Sequence, residues 1–173
     1  MATPYNVSRE QIEVHRFSVP VAVAIVVVAV FLQAFVPLRF PWFGIFDLPM
    51  LVTIFFGMAR RSQVTGLLTG GAIGLLQDSL THQPIGLYGM ANTVVGYCAS
   101  SLGVKIDVEN PGTRMLMTFG FYLLHQIVYY SVAWGLVGQT LYWRWGHESV
   151  SAVANALLAI GLFALLDRFR QRT

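Results

Sequence analysis

The sequence predicts an all-α membrane protein with six transmembrane helices and both termini on the cytoplasmic side, and three observations carry that reading. Apolar residues make up 55% of the chain and charged residues only 11%, against the roughly 25% charged residues of an ordinary soluble domain. Apolar stretches recur six times between short polar turns. A span takes about 20 residues at about 1.5 Å of rise per residue, so a chain of 173 residues has room for six and for little else. Finally, nine of the eleven Lys and Arg residues fall on one side of that alternating path, and positive charge is retained on the cytoplasmic side.

Residues 1–17 form a cytoplasmic tail containing Arg9 and Arg16. Within it Ser8-Arg9-Glu10-Gln11 has the Ser-x-x-Gln spacing of a capping box, which predicts a short helix along the membrane face. The first span covers 18–36. It is followed by FLQAFVPLRFP, with no small-x-small cleavage site, so it reads as a retained helix and not a signal peptide. The second span, 47–59, is short, and Trp42 to Phe46 extend it into the interface. Arg60 and Arg61 follow its C-terminal end, where positive charge suits the helix dipole. The third and fourth spans cover 64–80 and 85–103, with Lys105 and Arg114 in the loop that follows. The fifth, 115–142, is long enough to tilt or protrude. The sixth covers 149–166, closing a membrane domain of residues 18–167, and residues 168–173 form a basic tail with Arg168, Arg170 and Arg172. The outer side holds only Arg39 and Arg144, together with the aromatic belt of Trp42, Tyr142, Trp143 and Trp145.

Polar groups at bilayer depth are the informative ones, because each needs a partner there. Asp47 and Pro49 open the second span: the carboxylate reads as an N-cap, and proline is tolerated in a first turn. Asp78 sits in the last turn of the third span, at the negative end of the helix dipole, so something beyond its own helix must stabilise it. Two candidates stand: the N-terminus of the next helix near Gly86, reached after Thr81-His82-Gln83-Pro84, or a group from a partner protein or ligand. Gly66, Gly70 and Gly74 continue into Asp78 as one stripe, and Gly86, Gly89, Gly96 and Ser100 give the fourth span small residues too. Such stripes let helices approach closely in lipid, here as a hairpin of spans three and four, with an oligomeric or partner interface as the other use. On the fifth span Tyr122, His125 and Tyr129 share a face, with Gln126, Tyr130 and Trp134 nearby. His125 reads as a hydrogen-bonded packing residue. No metal set, phosphate loop or nucleophile–base arrangement is visible, so the sequence predicts neither an enzyme nor a cofactor or metal site. Outside the spans no segment could bury a core for ATP hydrolysis, nucleic-acid reading or redox chemistry. The single cysteine, Cys98, lies in an apolar segment and excludes a disulfide framework.

The order of features from Asp47 to Tyr97 is distinctive: DLPMLVTIFFGMARR, then GLLTGGAIGLLQDSLTHQPIGLYGMANTVVGY. This resembles the rod shape-determining protein MreD family, in which a Pro-Asp-type start to the second span precedes a glycine-rich helix ending in Leu-x-Asp and a Leu-Gly turn. The matching positions are Gly74, Leu75, Leu76, Asp78, Gly86 and Leu87; here the acid precedes Pro49 by two residues. The resemblance implies a non-catalytic scaffold of the elongation machinery, or elongasome, in the bacterial inner membrane. It would bind MreC and couple it and MreB to peptidoglycan synthesis by RodA and a class B penicillin-binding transpeptidase. It also implies an architecture similar to the substrate-binding subunits (S-components) of ECF-type vitamin transporters, and a vitamin-binding subunit is the alternative function. A channel or flippase lacks a charged pathway through the membrane centre.

Overall fold

The computed structural model describes residues 18–60, 62–81, 83–104, 106, 110–139 and 144–169. Among them run six α-helices and one short 3-10 turn: α1 (Val19–Arg39), the turn η1 (Pro41–Ile45), α2 (Leu48–Arg60), α3 (Gln63–Thr81), α4 (Leu87–Gly103), α5 (Pro111–Gly135) and α6 (Trp145–Asp167). The expected capping box at Ser8 to Gln11, Arg61, His82, Lys105, Tyr142, Trp143 and most of the basic tail lie outside the described residues.

Every residue of α2 from Leu48 to Met58 is buried. A helix apolar all round can only be stable if protein surrounds it on all sides, and α2 indeed touches each of the other five helices. The tightest neighbours are α3 and α4, which lie against each other as a hairpin, while α5 packs on α4 and pairs with α6. At one end of that pair Arg114 of α5 donates to Asp167 of α6 at 2.6 Å, with its guanidinium 6.0 Å from the Phe163 ring. The outermost helix is α1. Only Ala29 and Val30 of its residues are buried.

Polarity is arranged inside out. Val23, Val27, Phe31, Leu68, Leu116, Ile127 and Leu157 are among the large apolar side chains exposed, whereas Asp47, Gln77, Asp78, Asn92, His125, Glu148 and Asn155 are buried. Water would favour the reverse; a bilayer favours this arrangement, because it offers no hydrogen bonds to outward polar groups. Among the described residues, three segments are long and apolar enough by themselves to cross a membrane: Val19–Arg39, Pro41–Arg60 and Trp145–Asp167.

The element boundaries depart from the sequence expectation chiefly in α5. Expected over 115–142, it begins at Pro111 and ends at Gly135. Asn110 caps it, its Oδ1 accepting from the Gly112 N–H at 2.8 Å, and Pro111 occupies a first-turn position. Beyond Gly135 the chain turns through Gly138, whose φ of 70° belongs to the left-handed region. Similarly α6 starts at Trp145 and not near 149, which brings Glu148 into its first turn.

Candidate functional site

The helix α2 has 13 residues and so spans about 20 Å, well short of the roughly 30 Å of a hydrocarbon core. The turn η1 and the extended residue Phe46 precede it, so the chain enters the bundle as non-helical backbone, half-buried at Ile45 and Phe46 and buried at Asp47. Non-helical backbone leaves its polar groups without helical partners, so other groups must satisfy them where water is excluded. Two carboxamides do so, one from each flank. Gln33 of α1 donates through Nε2 to the Phe46 carbonyl at 2.9 Å and accepts through Oε1 from the Leu48 N–H at 3.1 Å. Asn155 of α6 donates through Nδ2 to the Ile45 carbonyl at 2.9 Å, while its Oδ1 accepts from the Asp47 N–H at 2.9 Å. Each amide thus substitutes for the peptide groups that a continuous helix would have supplied.

Asp47 links this junction to the rest of the bundle. Its Oδ1 accepts from the Met50 N–H at 3.1 Å, the geometry of an N-cap, and from Gln77 Nε2 of α3 at 3.3 Å. Pro49 is buried one position into the first turn, where its missing N–H removes no helical bond. Gln77 in turn accepts at Oε1 from Asn92 Nδ2 of α4 at 3.2 Å. The fifth helix completes the set: His125 Nε2 lies 3.9 Å from Asp47 Oδ2, with its ring stacked on Tyr88 at 5.8 Å between centroids. All six helices therefore meet in one buried polar cluster. Within it both ring nitrogens of His125 and the Oδ1 of Asn92 have no hydrogen-bond partner among the described residues. No group of three metal-ligating side chains occurs among those residues either.

Asp78, one residue on from Gln77, faces the start of α4. Its Oδ2 accepts from the Gly86 and Gly89 N–H groups at 2.8 and 3.0 Å, and its Oδ1 from the Tyr88 N–H at 3.0 Å. These are the orphan donors of a helix start, and a carboxylate is the favoured acceptor for them. Gly86 carries a φ of 108°, a conformation that folds the chain back over Asp78 and that side chains with a Cβ resist.

The glycine stripe of α3 turns to α4, inside the chain. A Cβ on Gly66 would overlap Ser100 Oγ and the Gly96 carbonyl, one on Gly70 the Asn92 carbonyl, and one on Gly74 the Tyr88 carbonyl. On Gly89 it would stand 3.0 Å from a Leu75 methyl, the milder case. Backbone approach this close is the use of small residues in lipid-embedded helices. A second polar group, around Glu148, ties α5 to α6: Oε2 accepts from the Tyr122 hydroxyl at 3.1 Å and from Gln126 Nε2 at 2.9 Å, and Oε1 from the Tyr130 hydroxyl at 2.9 Å.

Sequence reasoning singled out Asp47, Pro49, Asp78 and the glycines but passed over Gln33, Gln77, Asn155 and Glu148. For Gln33 and Asn155 a signal existed: each is a lone amide in an otherwise apolar stretch, FLQAF and AVANALL, and intramembrane polar residues are rarely idle.

Compared with known proteins, residues 15–169 match the family model for the rod shape-determining protein MreD. No curated protein and no solved structure matches the chain.

Proposed function

From the premise that the chain belongs to the MreD family of rod shape-determining membrane proteins, we propose that it is a non-catalytic scaffold of the machinery that elongates rod-shaped bacteria. It crosses the cytoplasmic (inner) membrane six times with both ends in the cytoplasm. It binds MreC directly and works with MreB, RodA and a class B penicillin-binding transpeptidase, so that cytoplasmic filaments and peptidoglycan synthesis stay in register. The residues 18–167 form its one membrane domain, flanked by the cytoplasmic tails 1–17 and 168–173.

The observation that most supports a scaffold is the use to which the buried polar groups are put. Asp78 takes three backbone N–H groups, and Gln33, Asp47, Gln77 and Asn155 hold helices and the non-helical segment before α2 to one another. Groups committed in this way fix shape, whereas a binding subunit keeps convergent polar groups open toward a ligand. Co-purification with MreC from membranes, combined with depth-resolved cross-linking, tests the reading. It fails if the purified chain leaves MreC behind and binds a vitamin at submicromolar affinity.

That second outcome corresponds to the alternative of an ECF-type substrate-binding subunit. One observation favours it: in one buried cluster both ring nitrogens of His125 and the Oδ1 of Asn92 have no hydrogen-bond partner among the described residues.

A further inference from the structure

Along α1 the chain leaves grooves on both sides, and the two differ in one respect. The groove facing α2 and α6 is lined by apolar side chains alone. The other, between α1 and α3, is apolar along its length, with Val19, Val27, Phe56, Ala72 and Leu76 among its walls, but it also includes Arg60. Its one hydroxyl, that of Thr69, is turned back onto the carbonyls of Thr65 and Gly66 at 2.7 and 3.2 Å, so the walls offer no polar group below the arginine.

We propose that this groove seats an acyl chain of an anionic phospholipid from the cytoplasmic leaflet, with the headgroup phosphate held by Arg60. Three features carry the assignment. Depth comes first: from Val19 to Val27 the groove follows α1 for about 12 Å, close to one leaflet, or half of a hydrocarbon core of about 30 Å. Second, Arg60 stands at the C-terminal end of α2, where the chain turns into α3, and therefore at the mouth of the groove. No acidic side chain among the described residues pairs with it. A guanidinium at a membrane surface matches a phosphate in shape and charge. Third, α1 is so little buried that in a bilayer lipid must complete its packing, and the arginine selects which lipid does so. The inference rests on the membrane placement proposed above and not on any partner protein.

The probe is phosphatidylglycerol against phosphatidylethanolamine with the same acyl chains, added to the purified full-length chain in detergent and read as retained lipid by native mass spectrometry. Phosphatidylglycerol is expected to be retained preferentially. Arg60→Gln should lower that preference about fivefold, the equivalent of about 1 kcal/mol for one cation at the surface, and Arg60→Lys should restore most of it. Ala72→Trp, which fills the groove, should abolish retention, while Ala24→Trp, in the all-apolar groove, should leave the preference intact. Equal retention of the two lipids overturns the proposal, as does unchanged phosphatidylglycerol binding in Arg60→Gln. If Ala72→Trp fails to fold, the loss in Arg60→Gln and its recovery in Arg60→Lys decide the matter. Because no partner is present, failure here leaves the scaffold reading untouched, and loss of MreC binding leaves this one untouched.

Discussion

Removing the carboxamide of Asn155 strands two backbone groups at once, the Ile45 carbonyl and the Asp47 N–H. Each unsatisfied buried group costs about 1–3 kcal/mol, so Asn155→Leu is expected to destabilise the protein by about 2–4 kcal/mol, read as a lowered midpoint in unfolding by SDS in mixed micelles. Gln33→Leu should behave in kind, since it opens the Phe46 carbonyl and the Leu48 N–H. A neutral outcome for both would mean that water reaches the break. Asp78 behaves differently, because three donors converge on two oxygens. Asp78→Asn keeps one acceptor and turns an NH2 toward a backbone N–H, which should cost about 1–2 kcal/mol; Asp78→Leu keeps none and should cost more. Equal melting temperatures for the Asn and Leu variants would show that the carboxylate does not cap α4. Asp78 could be flagged from sequence because a carboxylate at a helix C-terminus is locally wrong. Gln33 and Asn155 stand out in sequence as lone amides but could not be assigned roles, because their partners are backbone groups 15 and up to 110 residues away.

At the scale of the element, the hairpin α3–α4 separates two kinds of glycine. Gly70 has the Asn92 carbonyl where its Cβ would go, while Gly120 and Gly161 have nothing within 4 Å. Gly70→Ala must push two backbones apart and should cost about 1–3 kcal/mol. In Gly120→Ala the gain in helix propensity, about 0.5–1 kcal/mol, meets no opposing clash, so its melting temperature should hold or rise. If both substitutions shift stability alike, the close contact of α3 with α4 is not what the stripe is for. The stripe itself was legible because its four-residue spacing needs only the geometry of one helix. The break before α2 was not: the run from Trp42 to Phe46 is apolar, and whether such a run continues a helix or interrupts it depends on side chains from α1 and α6. The end of α5 was misjudged for a related reason. Residues beyond Gly135 stay apolar, with Leu136 and Val137 exposed, and hydropathy alone does not register that Gly138 turns the chain.

For the whole molecule, the proposed six-span topology predicts a pattern of chemical labelling. The sole cysteine is Cys98, so a Cys98→Ala background allows single cysteines to report sidedness. In intact cells an impermeant thiol reagent should modify Arg39→Cys and Gln139→Cys, near the ends of α1 and α5. It should spare Ser18→Cys and Arg168→Cys until the membrane is opened. Any other division contradicts six spans with both ends inside. This expectation rests on charge counting, because orientation depends on loops, whereas the inside-out distribution of polar groups is visible only in the packed structure. The clamp on the non-helical segment before α2 also has a consequence in time. Its two amides come from the first and the last helices, so the Ile45 carbonyl and the Asp47 N–H stay open until α6 has left the ribosome and entered the membrane. A chain truncated before Asn155 carries unsatisfied backbone groups at the entrance to its most central helix, a mark by which membrane proteases can tell unfinished copies from finished ones. Pulse-chase of a chain stopped at Gln139 should therefore show faster decay than the full-length protein, and restoring α6 as a separate polypeptide should slow it.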